Sequence, residues 1–122
     1  MILDEMYANI DDRAKNPQPK SFTNKLLDGG VEYICKKVGE EASEVIIAAM
    51  KNNREELICE IADLVFMTLG LMYDRKVTPK DIENKLRERQ KVTGNVREKT
   101  PDRLSAVTPF NKGGMLASSL EC

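Results

Sequence analysis

Two acidic pairs have a spacing that could do chemistry. Glu41 and Glu44, and Glu60 and Asp63, are each three residues apart, which puts both members on one face of a helix. Between the pairs, Lys51-Asn52-Asn53-Arg54 is a polar break suited to a turn. An antiparallel hairpin about that break matches Glu44 with Glu60 and Glu41 with Asp63, since both matches centre on position 52. The two levels then lie roughly 4.5 Å apart along the axis, at about 1.5 Å rise per residue. Four convergent carboxylates repel one another. A hard divalent cation is the common remedy, and Mg²⁺ or Mn²⁺ suits ligands that are all oxygen. Acids at this spacing also coat ordinary solvated helix faces. Here Glu41 falls within the apolar row Ile34, Val38, Val45, Ala48, and Asp63 lies between Glu60 and Met67 on a row leading to Leu71. Acids on core-facing rows call for a partner.

Candidate anion contacts lie upstream. Ser21 or Thr23 is suited to cap a short helix, and Lys25 follows. Free helix N–H groups beside a cation favour a phosphate, though a plain cap and a solvated lysine need no ligand. Lys36 and Lys37 stand one turn before Glu40 and Glu41. They either pair with those glutamates, for about 0.2–0.5 kcal/mol each, or contact an anion beside a metal. The chain has no histidine, which excludes histidine bases and His-ligated zinc.

Five helices must position these groups. Leu3, Met6, Tyr7 and Ile10 recur at helical spacing over Ile2 to Lys15, and Asn16-Pro17-Gln18-Pro19 ends that pattern. A short second helix closes at Asp28-Gly29-Gly30. Val31 to Met50 is the third. Asn53, with Glu56 three residues on, caps a fourth that runs to about Asp74. The fourth carries two adjacent apolar rows, more surface than one partner helix covers, and Gly70 within it predicts a close approach. Thr78-Pro79-Lys80-Asp81 starts a fifth, to about Arg89. The expected fold is all-α: a five-helix bundle around a central antiparallel helix hairpin, assembled as a homodimer. Residues 1–90 form the domain. Residues 91–122, with Gly94, Pro101, Pro109, Gly113 and Gly114, predict an extended or weakly ordered tail with a short helix at 114–120.

The balance of 19 basic and 20 acidic residues, net charge −1, argues against a nucleic-acid binder. No apolar run approaches the ~20 residues a membrane span needs. Cys35, Cys59 and Cys122 form no CxxC pair. Cys35 and Cys59 are expected to pack as small apolar groups, in a reducing, cytoplasmic setting.

From about Leu3 to Arg89 the chain resembles the phosphoribosyl-ATP pyrophosphatase family, within the all-α nucleotide pyrophosphohydrolases. Glu41-Ala42-Ser43-Glu44 and Glu60-Ile61-Ala62-Asp63 match the superfamily's ExxE and ExxD signature. Ser21-Phe22-Thr23, Lys25-Leu26-Leu27, Gly30, and Lys36 through Ala42 followed by Glu44-Val45 are similar to the narrower branch. That branch usually carries Tyr-His shortly after the ExxD aspartate, where this chain has Phe66-Met67. The resemblance implies Mg²⁺-dependent cleavage of the α–β phosphoanhydride of phosphoribosyl-ATP, to phosphoribosyl-AMP and pyrophosphate, the second step of histidine biosynthesis. It implies Glu41, Glu44, Glu60 and Asp63 as metal ligands, with Mn²⁺ as a substitute. Glu40 or Glu56 is then the base for a metal-activated water, and Ser21, Lys25, Lys36 and Lys37 bind substrate. The rate is expected to rise with pH, through that water or through a glutamate raised by acidic neighbours. A housecleaning hydrolase of non-standard nucleoside triphosphates and a non-catalytic helical interaction module are the alternatives.

Overall fold

Residues 1–91 are described by the structure, a computed structural model. The expected tail, apart from Lys91, lies outside the described residues, as do its short helix and Cys122. The described chain is all α: α1 (Ile2–Lys15), α2 (Phe22–Asp28), α3 (Gly30–Met50), α4 (Arg54–Asp74) and α5 (Pro79–Lys91). Residues 1–82 form one compact unit, and a second begins at Glu83. Among the described residues, no helix is long and apolar enough to cross a membrane.

Local chemistry sets the helix starts. Ser21, not Thr23, caps α2: its Oγ accepts the Asn24 N–H at 3.2 Å. Asn53 Oδ1 accepts the Glu56 N–H at 3.1 Å and starts α4. At α5 the cap is reciprocal. Thr78 Oγ1 accepts the Asp81 N–H at 3.2 Å, and the Asp81 carboxylate accepts the Thr78 N–H at 2.8 Å. That backbone N–H, then the hydroxyl, hold the Asp81 pKa below its usual value. Gly30 has φ +80°, a left-handed conformation that lets α3 follow α2 without a longer loop. Asn52, at φ 57°, turns the chain between α3 and α4. The Asn53 N–H donates back to the Ala48 carbonyl at 3.2 Å.

The α3–α4 hairpin is the most extensive helix contact, and α1 and α2 pack onto it. Leu26 of α2 and Ile34 of α3 are fully buried, with Met67 of α4 6% exposed. Leu27, Tyr33, Val38, Phe66 and Leu71 pack around them. Gly70 permits the close approach. A Cβ there would stand 2.7 Å from Leu26 Cδ2, and Leu26 is fully buried. Gly70→Ala is therefore expected to lower stability by about 1–2 kcal/mol, since overpacking costs about 1–3 and helix propensity returns up to ~1. Chemical denaturation checks this.

Asn24 is 8% exposed, the buried polar side chain of this unit. Its Nδ2 donates to the Arg13 carbonyl at 2.8 Å, and its Oδ1 accepts the Gln18 N–H at 2.8 Å. One side chain thus ties the end of α1 and the Pro-rich loop to α2. Tyr73 Oη donates to Asp11 at 2.8 Å and holds α1 against α4. Tyr7 meets the Tyr73 ring edge-on at 5.7 Å. Lys15, then Tyr73, hold the Asp11 carboxyl below its usual pKa, and Asp11 raises that of Tyr73.

The cysteine expectation is corrected: Cys35 and Cys59 are both exposed. Cys35 follows Ile34, so it points about 100° away from the buried row. Cys59 follows the exposed Ile58. Ile46, Ile47 and Met50 on α3, and Ile58 and Ile61 on α4, are also exposed apolar side chains.

Candidate metal centre

The hairpin brings three of the four expected ligands together. Glu41 from α3, and Glu60 and Asp63 from α4, each offer a carboxylate oxygen, and these oxygens lie within 4.8 Å of one another. Glu41 and Glu60 are half-buried and Asp63 is exposed. The core behind Glu41 explains its depth: Val38 and Val45, one turn to either side, are also half-buried. Glu44 lies one turn further along α3, exposed, and outside that group. Across the helices Glu41 thus meets Asp63, as the hairpin match expects, and Glu60 as well.

Glu41, its oxygen within 4.8 Å, is the chief cause of a raised Glu60 pKa. Burial and the charges of Glu41, Asp63 and Glu56 push the same way. A raised carboxyl means that clustering these acids disfavours the charged form of Glu60. Three carboxylate oxygens within 4.8 Å of one another are an all-oxygen donor set of the kind a hard divalent cation takes.

The surrounding charges are ordered. Lys37 Nζ bonds Glu40 at 3.2 Å and lies 6.0 Å from the centroid of the Tyr33 ring. Glu40 above all, then Tyr33 and Glu41, raise the Lys37 pKa and keep it a cation. Lys36 is exposed on the neighbouring face. Glu56 is engaged twice: its backbone N–H is capped by Asn53, and both carboxylate oxygens accept from Lys51 Nζ at 3.3 Å. Both candidate bases, Glu40 and Glu56, therefore sit in ion pairs. Ser21 and Lys25 line a surface cavity of about 750 Å³ with Tyr33 and Gly29. Going from Asp63 to Phe66 on α4, and from Glu41 to Lys37 on α3, both lead toward α2.

Phe66 and Met67 divide between two roles. Met67 is in the core against Leu26 and Ile34. Phe66 faces α2, its ring 6.1 Å from that of Phe22. Sequence reasoning missed Asn24 and the Phe22–Phe66 pair. An asparagine in a short helix carries no periodic signal, and an aromatic pair across 44 positions has none either.

Comparison with known proteins places the sequence in a family. A family model described as phosphoribosyl-ATP pyrophosphohydrolase matches residues 3–90. The chain is 41% identical over 102 residues to a phosphoribosyl-ATP pyrophosphatase of Clostridium novyi, covering 84% of this chain and 90% of that protein. It is 44% identical over 90 residues to one of Sulfurisphaera tokodaii, covering 74% of this chain and 96% of that one. A histidine biosynthesis bifunctional protein HisIE of Caldanaerobacter subterraneus is 40% identical over 90 residues, 44% of its own length. With residues 3–90 matched by one model and relatives matched over most of their length, the chain belongs to the phosphoribosyl-ATP pyrophosphohydrolase family.

Proposed function

We propose that the chain hydrolyses the α–β phosphoanhydride of phosphoribosyl-ATP, giving phosphoribosyl-AMP and pyrophosphate in histidine biosynthesis. The observation that carries this is the Glu41, Glu60, Asp63 cluster in a chain of this family. Glu41, Glu60 and Asp63 would hold Mg²⁺, with Glu44, one turn further along α3, as the fourth donor. When bound, the cation neutralises phosphate charge and acidifies water at the site.

The protein's own groups do the rest. Three carboxylates alone would repel a polyphosphate, so the lysines matter. Lys37 stays charged beside the cluster and contacts the phosphates, with Lys36 behind it. Ser21 and Lys25 extend that contact toward α2. Hydrolysis releases a proton from the attacking water, and a carboxylate must take it. Glu40 is placed for this. As Lys37 turns from Glu40 to a phosphate, the Glu40 carboxylate is left without its cation and becomes the better acceptor. Glu56 is the second candidate, held back by Lys51. Product analysis with phosphoribosyl-ATP beside a panel of non-standard nucleoside triphosphates tests the substrate. Preferred turnover of the panel would reject it.

The working unit is a homodimer. Ile46, Ile47, Met50, Ile58 and Ile61 form an exposed apolar surface on the two hairpin helices, and a second copy of this chain would cover it. Sedimentation of the full chain is expected to give a dimer at micromolar concentration, and a stable monomer would contradict it.

A further inference from the structure

A second cavity, of about 430 Å³, lies between α1, α2 and α4. Asn9, Ile10, Asp12, Arg13, Thr23 and Phe66 line it. Its place in the fold connects it to the carboxylates. Phe66 is three residues after Asp63 on α4, so it lies about 4.5 Å further along the helix and about 60° round it. Thr23 is two residues after Ser21, which lines the separate cavity beside Lys25. Ser21-Phe22-Thr23 thus forms a partition with one cavity on each side, and the Phe22 ring, 43% exposed, stands on it.

Charge separates the two sides. In the cavity beside Phe66, Arg13 is matched by Asp12 at 3.5 Å. Asp12 also accepts from the Asn16 side chain at 3.0 Å. The lining is therefore neutral in sum and offers no surplus cation to a phosphate. It does offer a flat aromatic face at Phe66, an apolar wall at Ile10, an amide at Asn9 and a hydroxyl at Thr23. A planar heterocycle with donors and acceptors on its edge needs that combination: stacking on a ring and hydrogen bonds at the rim. The size also suits a flat ring system with part of its sugar.

We propose that the cavity between α1, α2 and α4 is the purine subsite, with the base against Phe66 and its edge read by Asn9 and Thr23. This rests on the nucleotide hydrolase reading above and adds where the base goes. The phosphates then run from the carboxylates toward Lys37 and Lys25, on the other side of the partition. Phe66 becomes the residue that touches the base.

Titration calorimetry on the full chain with two probes tests this without turnover. Adenosine monophosphate carries the base, and inorganic tripolyphosphate carries phosphates alone. Asn9→Trp, at an exposed position, fills the cavity from the solvent side. Phe66→Leu keeps an apolar side chain against the core and removes the ring. Each is expected to raise the Kd for adenosine monophosphate about tenfold or more, in line with the loss of one base–aromatic stack. Tripolyphosphate binding should be unchanged in both. Failure of the wild-type chain to bind adenosine monophosphate, or equal affinity in wild type and variants, overturns the proposal. So does a matching loss of tripolyphosphate binding, which would make the cavity a phosphate site. Normal nucleotide binding with no turnover of phosphoribosyl-ATP would reject the activity and leave the subsite standing.

Discussion

Asp63→Asn and Glu60→Gln are each expected to lower the kcat/KM of phosphoribosyl-ATP hydrolysis at least ~10³-fold, with the helical fold intact. Each removes one charge from a cluster whose oxygens lie within 4.8 Å. A cation's charge stabilisation is worth several kcal/mol, and each ~1.4 kcal/mol is about tenfold in rate. The same variants separate catalysis from folding. The folded-state Glu60 pKa is raised. Its favourable contribution is then complete below the unfolded pKa and lost as pH rises through the folded one. At neutral pH, without metal, the cluster costs stability. Glu60→Gln should therefore raise the Tm of the chelated protein at pH 7 while abolishing turnover. A Tm that fell by the same amount at pH 4 and pH 7 would show that Glu60 contributes packing and not repulsion. Glu44→Gln is the informative companion. Loss of activity comparable to Asp63→Asn makes Glu44 a ligand, and near-normal activity removes it from the set.

Leu26→Ala carries the largest expected effect on stability. Leu26 is fully buried at the junction of α2, α3 and α4, against Ile34, Met67 and the Gly70 backbone. Truncation of such a leucine costs about 3–5 kcal/mol, the transfer term plus a cavity that the neighbours cannot fill. The consequence reaches the site, because α2 carries Ser21, Phe22 and Lys25. Residual folded protein is expected to show a raised KM. Urea unfolding gives the stability change, and a loss below about 1 kcal/mol would mean that α2 collapses inward. Ile34→Val, by contrast, should cost only about 0.5–1.5 kcal/mol.

Much of this was legible from residue types. The Asn53 cap, the Thr78-Pro79 start and the Gly70 approach each rest on local chemistry, and each is found where the sequence places it. The acidic pairs were legible as a hairpin motif because helical spacing fixes which face they share. Their register was legible in part: Glu41 meets Asp63, as the match about position 52 expects, and it meets Glu60 as well. Cys35 and Cys59 were misjudged because cysteine's usual burial says nothing about which side of a helix it occupies. Asn24 was invisible for the opposite reason: its burial depends on Arg13 and Gln18, carbonyl and amide partners that composition does not announce.

Hydrolysis of the phosphoanhydride at this hairpin is expected to require a bound cation. Release of pyrophosphate from phosphoribosyl-ATP, followed with Mg²⁺ and after chelation, tests it most directly. The expected result is stoichiometric phosphoribosyl-AMP and pyrophosphate with Mg²⁺, none after chelation, and recovery on adding Mg²⁺ or Mn²⁺. Hydrolysis that continues unchanged in the chelated protein, or none under either condition, would contradict it.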